Sequence, residues 1–484
     1  MIRALALAAV ITAQAHAQAA APYAEIDALM QRWRVEQHVP GMVWAVVGAD
    51  GRILHSGTAG VANTGTQAPV TLDTRFRIAS MTKAFTGRAL LALRDAGKLR
   101  LDDPVALHVP EMAGWAGGIT VNDLVHHMAG FVTDDPWGDR QTPLPESDFT
   151  AMLKGGVAFT RAPGMAHEYS NFGYATLGRI IGNVSGEAYD AHVARTIFRP
   201  LGMAATTFHI GAVPRAQLAV GYRWQDGAWV AEPEMAHGAF GAMGGVITTA
   251  HDYARWMGHL LSAWPAPVPG AGEDPARATL RFMTRGEGQP RLLPRPGSST
   301  GCRVAQIYGV GLRVAEDCSL GHVAYHSGGY PGYGSHMLLI PDAGVGLFLF
   351  TNRTYAPTSG PVWDAALILQ AAGLLTPRSL PVSPALAAAQ ADVARIWVAG
   401  RIEGARLAGN FTLDRDAAHW AADLAAMKAQ AGACPASETG KAPVAQGALE
   451  GRFRWQCAAG TVSGRVLLAP TGGIQALDLA VSAK

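Results

Sequence analysis

The stretch from Ser80 to Ala96 constrains the fold more than any other part of this chain. Met81, Phe85, Leu90, Leu91 and Leu93 make a helix that is apolar nearly all round, with little to offer water. Such a helix has to be buried in the centre of a larger body, with the rest of the chain built around it. Gly97 supplies its C-terminal cap. At 484 residues the chain also exceeds one simple domain.

Strand signals lie on both sides of this helix. Met42 to Val47 followed by Gly51 to Leu54 reads as a hairpin. His322 to Tyr325, His336 to Ile340 and Val345 to Phe350 read as short apolar strands, the last two joined by the turn Pro341-Asp342-Ala343-Gly344. Strands at both ends with helices between them predict an α+β fold, an antiparallel sheet packed by a helical region. Residues 264–300 read as an exposed, proline-rich loop, and Thr376 to Pro384 as a linker. Beyond it, helical patterns over Ala385–Ala399 and Ala417–Ala431 precede strand patterns over Arg452–Trp455, Val462–Leu468 and Ile474–Val481. The domains expected are thus 18–378 and a small α+β module over 379–484.

The first turn of the buried helix is polar where its body is not. Ser80-Met81-Thr82-Lys83 sets a hydroxyl and an amine three residues apart, on one helix face and about 5–6 Å apart at Cβ. A serine hydroxyl is a weak nucleophile and needs an adjacent base; a desolvated amine can serve. Tyr169-Ser170-Asn171 offers a phenol able to relay protons and an amide able to hold both the lysine and a carbonyl. His326-Ser327-Gly328-Gly329 falls at the end of an apolar strand, where a backbone N–H can meet an oxyanion and the glycines permit close approach.

Ser-x-x-Lys, Tyr-x-Asn and His-x-Gly in this order resemble the three motifs of the class C β-lactamase-like serine hydrolases. That group also holds penicillin-binding proteins, D-aminopeptidases and carboxylesterases. Similar flanking segments are Gly97 to Pro104, Pro200-Leu201-Gly202-Met203 and Gly244 to Thr249, so the resemblance spans roughly residues 25–375. It implies a β-lactamase/transpeptidase-like fold and an acyl-enzyme on Ser80, with no cofactor and no metal. Lys83 would share the serine's proton, Tyr169 would act as general base and proton donor, and Asn171 would position the acyl carbonyl. The N–H groups of Ser80 and Gly329 would form the oxyanion hole, beside Gly328.

Two departures from the family pattern bear on the substrate. His326 stands where many relatives have lysine, and histidine is largely neutral near pH 7, so a permanent cation for a substrate carboxylate is missing from that position. His126-His127-Met128-Ala129-Gly130 replaces the usual His-Thr-Ser-Gly stretch and alters the pocket wall. The resemblance therefore leans toward hydrolysis of a small-molecule ester, amide or short D-peptide, with β-lactamase activity weak or absent. The alternative is a penicillin-binding sensor with slow turnover, or an adaptor role for the C-terminal module.

The chain carries 39 Lys+Arg against 37 Asp+Glu and no basic block, which excludes a nucleic-acid footprint as its main feature. Arg3, the apolar run Leu5–Ala13 and Ala15-His16-Ala17 read as a signal peptide over 1–17, hence a periplasmic or secreted protein. That apolar run is too short to span a bilayer, and no later segment reads as transmembrane. Four cysteines suit an oxidising compartment, and the local pairing Cys302–Cys318 with Cys434–Cys457 is favoured among three connectivities. Gly297-Ser298-Ser299-Thr300-Gly301 matches a nucleophile elbow formally, but it follows a proline-rich loop rather than a strand, so it is set aside. Oligomeric state is not legible.

Overall fold

Every residue of strand β1 (Gly41–Gly48) is buried in the computed structural model, which describes residues 21–134, 137–265, 274–296, 301–378 and 380–483. Successive strand side chains point to opposite faces, so a strand buried throughout needs cover on both. Val43, Ala45 and Val47 belong to the core that also holds the central helix, and helix Ala250–Leu261 packs against the strand, whereas Met42, Trp44 and Val46 pack with the helical residues 21–36 and 359–371.

The sheet has nine strands in the order β3-β2-β1-β9-β8-β7-β6-β5-β4. Here β2 is Ile53–Asn63, β3 Ala68–Pro69, β4 Arg291–Pro294, β5 Arg303–Tyr308, β6 Arg313–Asp317, β7 Gly321–Tyr330, β8 Tyr333–Ile340 and β9 Val345–Thr351. All neighbours are antiparallel, with β1 joined to β9 from Met42↔Thr351 to Gly48↔Val345. The hairpin and the three strands read from the sequence are present. The motif strand extends further than expected: β7 continues through His326-Ser327-Gly328-Gly329 to Tyr330, so those residues lie within the sheet rather than at a strand end.

Helix α1 (Thr82–Asp95) begins one short turn later than the sequence pattern suggests, because Ala79–Met81 is a tight 3-10 turn. Phe85 on α1 stacks on Trp256 with ring centroids 4.2 Å apart, and Leu90 and Leu91 have no exposure. Gly97 follows with φ 69°, the left-handed cap expected of it.

The stretch 264–300 departs from its reading as loop. Pro275–Phe282 is helical and Arg291–Pro294 is the sheet's edge strand. Proline misled the reading: at the first helical position and on an edge strand its missing N–H is not needed. The signal sequence over 1–17 and positions 297–300 of the elbow pattern lie outside the described residues.

The chain divides into two compact units, with the change near residue 377. In the second, Pro384–Ala399 and Ala417–Ala431 are helical and a four-stranded antiparallel sheet is built from Val444–Ala445, Glu450–Gln456, Gly460–Leu468 and Ile474–Ala483. Its core includes Leu386, Trp397, Trp455 and Val462. Disulfides join Cys302 to Cys318 and Cys434 to Cys457. Among the described residues, no helix is long and apolar enough to cross a membrane.

Gly328 shows how tightly β7 meets the turn carrying Ser80. A Cβ there would lie 2.2 Å from Ile78 O and 2.3 Å from Ser335 Oγ, and Ser335 Oγ itself donates to Ile78 O at 2.8 Å. Gly328→Ala is therefore expected to destabilise the protein by about 1–3 kcal/mol, the usual range for overpacking. Equilibrium urea denaturation checks this, and an unchanged midpoint would contradict it.

Candidate active site

Ser80 occupies the middle of the 3-10 turn and Lys83 the first turn of α1, where the side chains meet. Lys83 has no exposure, and its Nζ donates to Ser80 Oγ (3.1 Å), Asn171 Oδ1 (2.8 Å) and the Met243 carbonyl (2.8 Å). An ammonium has three protons, and here three acceptors face it. In this arrangement Lys83 donates to the serine oxygen rather than accepting from it. Ala79, just before the serine, holds φ 48°, a left-handed conformation costing of order 1–3 kcal/mol in a non-glycine residue. The Ser335 hydrogen bond and the packing of Gly328 hold that turn in place.

Asn171 is the first residue of helix α2 (Asn171–Ser185). Ser170 caps it by accepting from Gly173 N, and the Asp134 carboxylate accepts from the N–H groups of Asn171 (2.6 Å) and Phe172 (2.7 Å). Those amides have no acceptor within the helix, and the dipole favours an anion there. Tyr169 precedes this cap, so the cap also sets where the phenol ring sits. The ring centroid lies 4.9 Å from Lys83 Nζ and 4.4 Å from the His127 ring.

Ser80, Tyr169, His326 and Gly329 share the lining of one cleft of about 390 Å³, with Gly328 beneath it against Ile78 and Lys83 with Asn171 behind the serine. The motif residues named from the sequence are thus brought together. A larger concavity of about 470 Å³, on the C-terminal sheet around Arg452, Arg454 and Arg465, holds none of them.

Histidines surround the cleft, and burial keeps them uncharged. His326 donates from Nδ1 to the Ser327 carbonyl (2.6 Å), which leaves Nε2 to accept from the Tyr308 hydroxyl (2.9 Å). Burial, reinforced by the positive charges of Arg313 and Lys83, pushes its pKa well below 6.5. His127 is pushed down by burial and its neighbours, and its Nδ1 accepts from Ser170 N–H, so it serves the loop before α2. His126 lies against the carbonyls of Asn122 and Arg285, which is packing rather than ligation.

Three further lining residues escaped the sequence reading. Arg313 on β6 reaches the cleft with its guanidinium carbon 5.8 Å from the Tyr169 ring and 5.6 Å from the Tyr308 ring. Among the described residues no acid pairs with it. The position of His326 carries no permanent cation, and β6 supplies one from beside β7. The other two are Asp139 and Tyr355, the tyrosine donating to Asp139 Oδ2 at 2.9 Å. No motif marks any of the three; strand register alone would have placed Arg313, opposite Tyr325.

Comparison with known proteins shows what the chain and its fold are similar to. Residues 19–372 match the Beta-lactamase family. Protein flp of Staphylococcus aureus (strain COL) is 26% identical over 339 residues, covering 68% of this chain and 62% of that protein. The chain thus spans less than two thirds of that relative's length. D-alanyl-D-alanine-carboxypeptidase/endopeptidase AmpH of Escherichia coli is 27% identical over 321 residues, covering 65% of this chain and 80% of that protein. The octameric penicillin-binding protein homologue from Pyrococcus abyssi superposes with a TM-score of 0.60 at 23% identity, covering 72% of this chain and 77% of the other. The fold is β-lactamase/transpeptidase-like, with a small C-terminal sheet domain added.

The neutral histidines have a consequence for stability. Burial lowers His167 to about 4 and His336 to about 3, and His127 and His326 lie well below 6.5 as well. Each binds a proton more readily when unfolded, so its stabilisation is complete above about pH 6.5 and is lost as pH falls toward 4 and then 3. Thermal denaturation should show Tm declining from pH 7 to pH 4.5; a flat Tm over that interval would contradict the assignment.

Proposed function

Because this chain belongs to the Beta-lactamase family, whose members include serine hydrolases, we propose that it hydrolyses a small ester, amide or short peptide through an acyl-enzyme on Ser80. The observation that carries this reading is the hydrogen bond from buried Lys83 to Ser80 Oγ, at the wall of a cleft that Tyr169 also lines. Ser80 Oγ bonds to the acyl carbon and gives up its proton, and Tyr169 receives it. Lys83 and Arg313 flank the tyrosine ring, and two cations there stabilise negative charge on the phenolic oxygen. The N–H groups of Ser80 and Gly329 hold the carbonyl oxygen as it becomes an oxyanion.

The leaving alcohol or amine then departs with the proton from Tyr169. Water takes its place and bonds to the acyl carbon as Tyr169 accepts its proton; the bond from that carbon to Ser80 Oγ then breaks, Tyr169 returns the proton to Oγ, and the acid is released. Asn171 orients the acyl group while holding Lys83. Arg313 holds a substrate carboxylate, which favours peptide-like substrates with a free C-terminus over simple esters. The disulfides suit an oxidising compartment, in keeping with export by the segment at 1–17. A penicillin-binding sensor remains the second reading, since the same geometry acylates whether or not water follows.

Steady-state hydrolysis of p-nitrophenyl acetate, D-alanine p-nitroanilide and nitrocefin tests the proposal. Ser80→Ala should lose about 10³-fold or more of any turnover, as removal of a nucleophile does. Full activity in that variant would overturn the mechanism; irreversible labelling by fluorescent penicillin without turnover would favour the sensor. Arg313→Gln should cost at least about tenfold more on substrates bearing a carboxylate than on p-nitrophenyl acetate. Equal losses would remove Arg313 from substrate recognition.

A further inference from the structure

Tyr169 is bracketed by contacts to one residue, His127, in the loop that follows the short helix Val121–Val125. The N–H of Glu168, just before the tyrosine, donates to the His127 carbonyl at 2.8 Å. The N–H of Ser170, just after it, donates to His127 Nδ1 at 3.1 Å. Between those two bonds the Tyr169 ring lies against the imidazole, with centroids 4.4 Å apart and planes inclined by 39°. Backbone and side chain of one residue thus hold the chain on either side of the tyrosine and the ring itself.

For its carbonyl and its ring to face the same segment, His127 leaves the helical course before it at φ 57°. Such a left-handed conformation is uncommon outside glycine and is kept where the surroundings over-determine it. The ring is fixed in its protonation as well. A backbone N–H only donates, so Nδ1 presents a lone pair to Ser170 and the proton of the neutral imidazole sits on Nε2. Nε2 is buried without a hydrogen-bond partner, beside the rings of Tyr174 and Tyr308 with centroids 4.9 and 4.5 Å from the imidazole. An unpartnered buried N–H is a cost that phenylalanine, of similar shape, would not carry, so packing alone does not account for a histidine here. What histidine supplies and phenylalanine lacks is the acceptor aimed at Ser170. A second proton, on Nδ1, would set two donors against each other; burial above all keeps it off.

We propose that His127 is the positioning residue of the general base: its carbonyl, its Nδ1 lone pair and its ring together fix where the Tyr169 phenol stands relative to Ser80. This rests on the reading of Ser80 as nucleophile and Tyr169 as its base. His127 is 2% exposed and is not part of the cleft lining, so it acts on the reaction through the tyrosine. Misplacing a catalytic group by about 1 Å can cost about 10²-fold in rate. Such a loss falls on kcat and kcat/KM together, because the interaction it weakens belongs to the transition state and not to substrate binding.

Steady-state hydrolysis of p-nitrophenyl acetate and D-alanine p-nitroanilide by His127 variants tests this. His127→Phe keeps a ring without the acceptor, and His127→Gln carries its amide to the Nε2 position instead. Each should lose at least about tenfold in kcat with KM within about threefold of wild type. His127→Asn places Oδ1 where Nδ1 stands and tolerates positive φ, so it should recover most of that loss. In a Tyr169→Phe background, His127→Phe should cost less than about twofold more, since the group it positions is gone. Should the Phe variant fail to fold, the contrast between Gln and Asn carries the same test. Equal losses in Gln and Asn, a loss confined to KM, or a loss undiminished in the Tyr169→Phe background would overturn the proposal. Turnover that survives Ser80→Ala would instead overturn the hydrolase reading on which it rests.

Discussion

The buried ammonium of Lys83 ties three distant parts of the chain to one point. Its acceptors come from the turn at Ser80, from the start of α2 at Asn171 and from the carbonyl of Met243. Burying an amine is expensive unless its protons are directed at acceptors, so the convergence of the three segments offsets that cost. That requirement explains why a polar turn can open a helix whose first turns are fully buried. It also explains the supports around the site: Asp134 on the α2 amides, Ser335 on Ile78, and a bare Gly328 beneath the strained Ala79. Positive φ in non-glycine residues recurs at Ala79, His127 and Tyr355, all at or beside the cleft. Strain of that kind persists where packing over-determines the backbone.

Charge within the cleft is distributed by burial as much as by residue type. The histidines nearest Tyr169 are uncharged because water is excluded from them, and their hydrogen bonds serve geometry: His127 holds Ser170, and His326 links Tyr308 to the Ser327 carbonyl. The permanent charges are Lys83 behind the serine and Arg313 at one end of the strand, with Asp139 at the other. The site thereby separates a cation buried behind the serine from a cation that lines the cleft.

Much of this was legible in the sequence, for reasons that can be named. Helix α1 declared its burial because it is apolar nearly all round, with only Arg88, Arg94 and Asp95 reaching toward solvent, and the motif residues stood out because hydroxyl, amine, phenol and glycines fell where elements begin or pack. The hairpin and the later strands followed from alternation and turn residues. What escaped was set by register and by tertiary approach. Arg313 looks like any strand arginine until β6 is aligned with β7, and Asp139 sits in a loop with no pattern. The proline-rich region hid a helix and an edge strand, because proline is compatible with both at those positions. Ser80 in a 3-10 turn rather than in α1 proper reflects the strained Ala79 before it, which no propensity argument anticipates.

The central claim is that Ser80 becomes covalently acylated. The most direct measurement is mass spectrometry of wild-type protein quenched with acid during turnover of p-nitrophenyl acetate, followed by peptide mapping. The account predicts one added acetyl group, located on the peptide containing Ser80 and absent from Ser80→Ala. Turnover with no adduct at Ser80, or an adduct on another serine, would contradict it.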